Sequence, residues 1–176
     1  MDTPIVFIFY NKTETTKQVF TKIREMKPKK LYLVSDGPRK TRVNEKEVVA
    51  ELRQWVCEQI DWDVSVCKIF SEENMGCKER IVSGLNRVFE LEESAIILED
   101  DCLPNHSFFS FCEDMLEYYK NAPQVMMING SNFAGKKHMI KGDYTFSYNV
   151  MILATPGQHS CNTRTSIPTT SGQTFL

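Results

Sequence analysis

Three consecutive carboxylates, Glu99-Asp100-Asp101, close the short apolar run Ala95-Ile96-Ile97-Leu98. Four apolar residues rich in β-branched Ile predict a buried strand, and three acids at its end cannot follow it into the core unpaired. They must stand at a strand tip, beside solvent or a bound cation. Like charges this close raise one another's pKa unless something positive is shared between them. A hard divalent ion, Mg²⁺ or Mn²⁺, suits such a place, because it takes oxygen ligands and commonly brings substrate phosphates with it. A solvated acidic turn before Pro104 is the alternative reading.

The elements that must position these acids alternate along the chain. Residues 4–10 form a continuous apolar run of strand length, stopped by Asn11-Lys12-Thr13. Thr16, Val19, Phe20, Ile23 and Met26 then recur at helical spacing, with Thr13 placed as a cap. Residues 30–35 predict a second buried strand ending in the turn cluster Asp36-Gly37-Pro38-Arg39. A helix follows over about 43–59, its stripe drawn by Val48, Leu52, Trp55, Val56 and Ile60. Residues 63–70 predict a third strand, 77–89 a third helix through Ile81, Val82, Leu85, Val88 and Phe89, and the acid-tipped run a fourth strand. Phe108, Phe109, Cys112, Met115, Leu116 and Tyr119 mark a fourth helix, and residues 124–128 a fifth strand running into Asn129-Gly130-Ser131.

Such alternation predicts an α/β layer sandwich, Rossmann-like, with a mostly parallel sheet. In open sheets of this kind ligands bind outside the carboxyl ends of the strands, where strand order reverses. Polar residues fall at those ends repeatedly: Tyr10-Asn11, Asp36-Gly37, residues 72–76, Glu99-Asp100-Asp101 and Asn129. This recurrence favours the cation site over the decorative turn. Asp36 before Gly-Pro also reads as a turn former, Asn74 and Gly76 as caps of the third helix, and Arg80 as a surface partner of Glu79 or Glu73. His106, His138 and His159 have no neighbours that suggest ligands, and Phe108, Phe109 and Phe111 read as core.

At 176 residues, with a formal net charge of -2 and a pI near 6.0, the chain predicts one domain and carries no basic field for nucleic acid. Six cysteines occur without a Cys-x-x-Cys pair, and no apolar run reaches the roughly 18 residues of a spanning helix. With no signal peptide legible, the expectation is free thiols in a reducing compartment, a cytoplasmic protein associated at most peripherally with a membrane. No Walker or dinucleotide-type glycine loop is present.

Taken together, residues 4–133 resemble the nucleotide-binding part of GT-A-type glycosyltransferases, especially the family 2-like and N-acetylglucosaminyltransferase I-like branch. The resemblance rests on residues 4–12, on Ser35-Asp36-Gly37-Pro38-Arg39, on Asn74-Met75-Gly76 with Arg80, and on Leu98-Glu99-Asp100-Asp101, which is similar to that branch's variant of the Asp-x-Asp metal motif. It implies a nucleotide-sugar donor, commonly a UDP-sugar, its diphosphate bridged to the protein by Mn²⁺ or Mg²⁺. By the same resemblance Asp101 is the direct metal ligand with Glu99 beside it, and Asp100 lies against the ribose or the metal's water shell. Asp36 accepts from uracil, Tyr10, Asn11 and Lys12 line the base pocket, Asn74 joins them, and Arg80 approaches the nucleotide or holds the acidic motif. Relatives often carry Arg where Lys12 stands, and Lys lacks the planar fork.

The acceptor, whether glycan, lipid or protein, is not specified by the resemblance. After Ser131 the chain offers one carboxylate side chain, Asp143, as a candidate general base, and its Gly-Asp-Tyr setting also reads as a turn. The expected organisation is a nucleotide-sugar-binding domain over 1–150, incomplete, followed by an irregular Ser/Thr-rich tail over 151–176. Donor binding with poor transfer is therefore expected, which leaves a truncated remnant that only binds nucleotide or a partner as the rival of an active transferase. A receiver-like Mg²⁺-binding module needs acids after the first strand and a phosphoacceptor Asp after the third. The chain has Tyr-Asn-Lys and Phe-Ser-Glu there.

Overall fold

Ile5-Val6-Phe7-Ile8-Phe9 offers no side chain that gains from water on either face, and as strand β1 (Ile5–Phe9) it is buried along its whole length. The computed structural model of the chain describes residues 1–122 and 124–130, together with the backbone of 152–156. The elements that follow are α1 (Thr13–Met26), β2 (Lys30–Ser35), α2 (Glu45–Glu58), β3 (Ser65–Phe70), α3 (Cys77–Phe89), β4 (Ser94–Glu99), α4 (His106–Tyr118), β5 (Ile128–Asn129) and β6 (Ile152–Pro156).

The sheet runs β3-β2-β1-β4-β6-β5. Its first four strands are parallel, with Phe7 beside Leu33 on one side and Leu98 on the other. Order reverses at β1, since the chain moves outward through β2 and β3 and then returns to place β4 on the opposite flank. Alternate β1 side chains feed two cores. Ile5, Phe7 and Phe9 pack with Val19, Phe20 and Ile23 of α1, Leu52 and Val56 of α2, and Phe108 and Phe109 of α4. Val6 and Ile8 face the other way, toward Val88, Ile81 and Leu85 of α3. Three layers result, with α1, α2 and α4 on one face of the sheet and α3 on the other.

The α/β alternation expected from the sequence is present, and two details differ. The fifth strand, expected over 124–128, is only Ile128–Asn129, because the Val125 amide donates to the Ala122 carbonyl and holds the preceding residues in a turn. The irregular tail expected from 151 onward opens instead with β6, where the short run Ile152-Leu153-Ala154 pairs antiparallel with both β4 and β5. The sheet therefore extends past the boundary that composition suggested. The Ser/Thr-rich stretch beyond Pro156 lies outside the described residues, as do Asp143, His138, His159 and Cys161.

Candidate functional site

Parallel pairing in register brings Ile8 beside Glu99, so the chain ends leaving β1 and β4 emerge side by side. The Tyr10 amide donates to Asp100 Oδ2 at 3.1 Å, fixing one tip to the other. Only Tyr10, Asn11 and Lys12 separate β1 from α1, which holds Lys12 at the helix N-cap directly over the acids. Its ammonium lies 2.5 Å from Asp101 Oδ2 and 3.4 Å from Asp100 Oδ1. Thr13, expected as the cap, is instead the first helical residue, and the Lys12 N-cap makes no side-chain capping bond.

The three acids differ in environment. Asp100 is buried, Asp101 is exposed and Glu99 lies between. Burial pushes the Glu99 carboxyl up, with the Asp101 and Asp100 charges adding to it. Asp100 is also held above the usual carboxylate range by burial, against the opposing pull of Lys12 and the Tyr10 amide. Asp101 moves the other way, because the Lys12 hydrogen bond outweighs its burial. Lys12 thus outweighs burial at the exposed Asp101 and does not offset it at the buried Asp100.

Across β1, at the end of β2, Asp36 is buried and its carboxylate is saturated. Oδ1 accepts from the amides of Gly37 and Met75, each at 2.9 Å. Oδ2 accepts from the Gly76 amide at 2.9 Å and from Asn74 Nδ2 at 3.0 Å. Four bonds fill the roughly four lone-pair positions of a carboxylate. Asp36 thus clamps the loop after β3 onto the turn after β2, so a bond to uracil requires it to release one of these donors. The approach is close enough that a Cβ on Gly37 would stand 2.5 Å from the Glu73 carbonyl carbon, and Gly76 holds φ at 85°. Asn74, read as a cap of α3, serves this clamp and also donates to Tyr10 Oη at 3.3 Å.

Arg80 is buried on α3, donating to the Ile69 carbonyl and to Met75 Sδ, with no hydrogen-bond partner for its Nε among the described residues. Its charge faces Asp36, and desolvation lowers its pKa. It supports the loop and stands apart from the acidic motif.

Two residues that the sequence reading passed over complete the edge. Glu45 heads α2 on the row Glu45, Val49, Leu52, Val56, where an apolar residue is expected, and only 6% of it is exposed. It accepts from Tyr10 Oη at 2.6 Å, from Asn11 Nδ2 at 2.9 Å, and from the Arg39 amide, Nε and Nη2. The Arg39 guanidinium holds the Glu45 carboxyl far below the usual carboxylate range. Arg53 gathers the carbonyls of Ser35, Asp36 and Ser71 with one nitrogen, tying the ends of β2 and β3 together. An acid at the head of an apolar stripe was the legible signal for Glu45; Arg53 left none.

Tyr10, Asn11, Lys12, Asp36, Asn74, Asp100 and Asp101 therefore line one continuous edge across the strand-order reversal. Among the described residues, no group of three His, Cys, Asp or Glu side chains is gathered to hold a metal ion. The donor set at the tip is nonetheless all carboxylate oxygen, and the Lys12 ammonium stands where a cation is shared between Asp100 and Asp101. That chemistry fits a hard ion bound through one or two carboxylates and completed by substrate and water.

No protein-family model matches the chain, and no curated protein matches it. Among solved structures, the crystal structure of S. aureus TarS is similar to it at a TM-score of 0.43 and 11% sequence identity, over 68% of this chain and 20% of that one. The chain spans a fifth of the length of that structure. No helix among the described residues is long and apolar enough to cross a membrane.

Proposed function

We propose that the chain is a GT-A-type glycosyltransferase module that binds a nucleotide-sugar, a UDP-sugar first among candidates, at the carboxyl edge of β1, β2 and β4. The observation that carries this reading is the meeting of Lys12, Asp100 and Asp101 at the strand-order reversal, next to a polar wall built from Tyr10, Asn11 and Asn74. Asp101, the exposed acid, would hold a divalent ion, Mn²⁺ or Mg²⁺, with Asp100 beside it at the same strand tip and Glu99 as a further carboxylate. Such an ion, when bound, draws charge from a departing diphosphate.

The chain's own groups do the rest. Lys12 supplies a second positive charge at the same point, and it can turn toward a diphosphate once Asp101 is engaged elsewhere. Tyr10, Asn11 and Asn74 orient the nucleoside, Asp36 fixes the loop that presents Asn74, and Arg80 supports that loop from below. A general base for an acceptor hydroxyl must reach within hydrogen-bond distance of it. No described residue is assigned that role, and Asp143 keeps it as a candidate from sequence.

Calorimetry of UDP with and without Mn²⁺, on the parent chain and on Asp101→Ala, tests the reading. Mn²⁺ should strengthen UDP binding to the parent by about tenfold or more, equal to 1.4 kcal/mol, and the variant should lose that dependence while keeping its fold. Equal metal-linked binding in both proteins would falsify the assignment of Asp101.

A further inference from the structure

We propose that Arg39 is a base-facing residue of this pocket and that Glu45 is the residue that positions it, an inference that rests on the nucleotide-binding reading and extends it. The Arg39 amide, Nε and Nη2 all donate to Glu45, while Nη1 makes no hydrogen bond among the described residues. The guanidinium lies over the Tyr10 ring, 5.7 Å from its centroid, and 42% of the side chain stays open to solvent. A flat cation is thus held by Glu45 over the Tyr10 ring, with much of its side chain open to solvent.

Burying a carboxylate at the head of an apolar helical stripe is costly unless its lone pairs are filled. Here they are filled by Tyr10, Asn11 and Arg39, three side chains that border the edge where the ligand lies. Fixing a guanidinium in advance removes much of the rotamer entropy that a free arginine loses when it binds. A guanidinium plane held in this way is a stacking surface for a nucleobase, as aromatic rings and arginines are in nucleotide recognition.

Position selects the base over the diphosphate. Tyr10 Oη is joined through Asn74 to Asp36 on the β2 flank of β1, whereas Lys12, Asp100 and Asp101 gather on the β4 flank. A ligand whose charged end reaches those acids through a cation extends its other end toward Arg39. Lysine would keep the charge and lose the plane, so Arg39→Lys separates stacking from simple attraction.

The experiment measures uridine, UDP and pyrophosphate binding by calorimetry on the parent chain, on Arg39→Lys and on Glu45→Gln, with thermal midpoints for each. Both variants should weaken uridine and UDP by about tenfold, the range of a desolvated cation–aromatic contact, and leave pyrophosphate unchanged. A merely structural Glu45 would weaken pyrophosphate as much as uridine and UDP, and that result overturns the positioning role. If Glu45→Gln does not fold, Arg39→Lys decides the base contact alone. Unchanged uridine and UDP affinity in Arg39→Lys, or a loss confined to pyrophosphate, overturns the proposal while nucleotide binding stands. A parent chain that binds neither uridine nor UDP overturns the nucleotide reading and this inference with it.

Discussion

The two flanks of β1 use the same side-chain type in opposite ways. On the β2 flank, Asp36 and Glu45 are buried carboxylates whose acceptor positions are filled by amides, an amide side chain, a phenol and a guanidinium. On the β4 flank, Asp101 is exposed and shares with Asp100 a single lysine ammonium, and the Glu99 carboxylate accepts no hydrogen bond among the described residues. A saturated acid is a structural clamp, because its removal strands several donors. An acid with open lone pairs beside an exposed cation can be offered to a ligand. Position at a strand end made both sets look alike in sequence, and the count of protein donors separates them.

The largest effect expected from this contrast is on stability. Asp36→Ala leaves the amides of Gly37, Met75 and Gly76 without their acceptor and should cost about 3 kcal/mol. For a chain of this size that corresponds to a thermal midpoint lower by roughly 6–12 °C. Asp101→Ala should stay within about 0.5 kcal/mol of the parent, since its lysine partner is exposed. Equal destabilisation by the two substitutions would erase the distinction between the flanks.

A smaller effect is expected in acid. Folding lowers the Glu45 pKa below its ordinary 4.5, so the unfolded chain binds that proton more readily. The resulting stabilisation is fully present above pH 4.5 and is lost as pH falls toward the folded value. Glu99 and Asp100 are raised, so they oppose folding at neutral pH and relent as they protonate. Urea midpoints followed downward from pH 6 should therefore fall less steeply in Glu45→Gln than in the parent. Parallel pH profiles would show that the clamp draws nothing from the Glu45 charge.

The smallest test asks how far the openness of the β4 flank extends inward. Burial, with the Asp101 and Glu99 charges added, pushes the Cys102 thiol up to about 12, and burial pushes Cys112 to about 12. Cys77, at the start of α3, is exposed. Among the described cysteines, iodoacetamide at pH 8 should label Cys77 first and spare Cys102 and Cys112 in the folded chain, as peptide mapping would show. Labelling of Cys102 at the rate of Cys77 would mean that the flank opens beneath Asp101.

Periodicity alone determined much of this protein. The apolar runs of β1, β2 and β4, the stripes of α1, α3 and α4, and the placement of Asp36, Asn74 and Asp100-Asp101 at strand ends are local patterns with periods of about two or 3.6 residues. They are legible wherever burial is one-sided or complete. The stripe of α2 reads one residue early in sequence, at Val48 and not Val49, because the acid that heads it hides the true row.

What the sequence left undetermined depends on partners distant along the chain. Glu45 meets Tyr10 and Asn11 over separations of 35 and 34 residues, the Gly76 amide reaches Asp36 over 40, and Lys12 reaches Asp101 over 89. The antiparallel insertion of β6 between β4 and β5 is likewise a matter of which strand edge was left to pair. A carboxylate looks the same in sequence whether its lone pairs are filled or free. Only the tertiary structure decides, because the donors that fill them arrive from other strands.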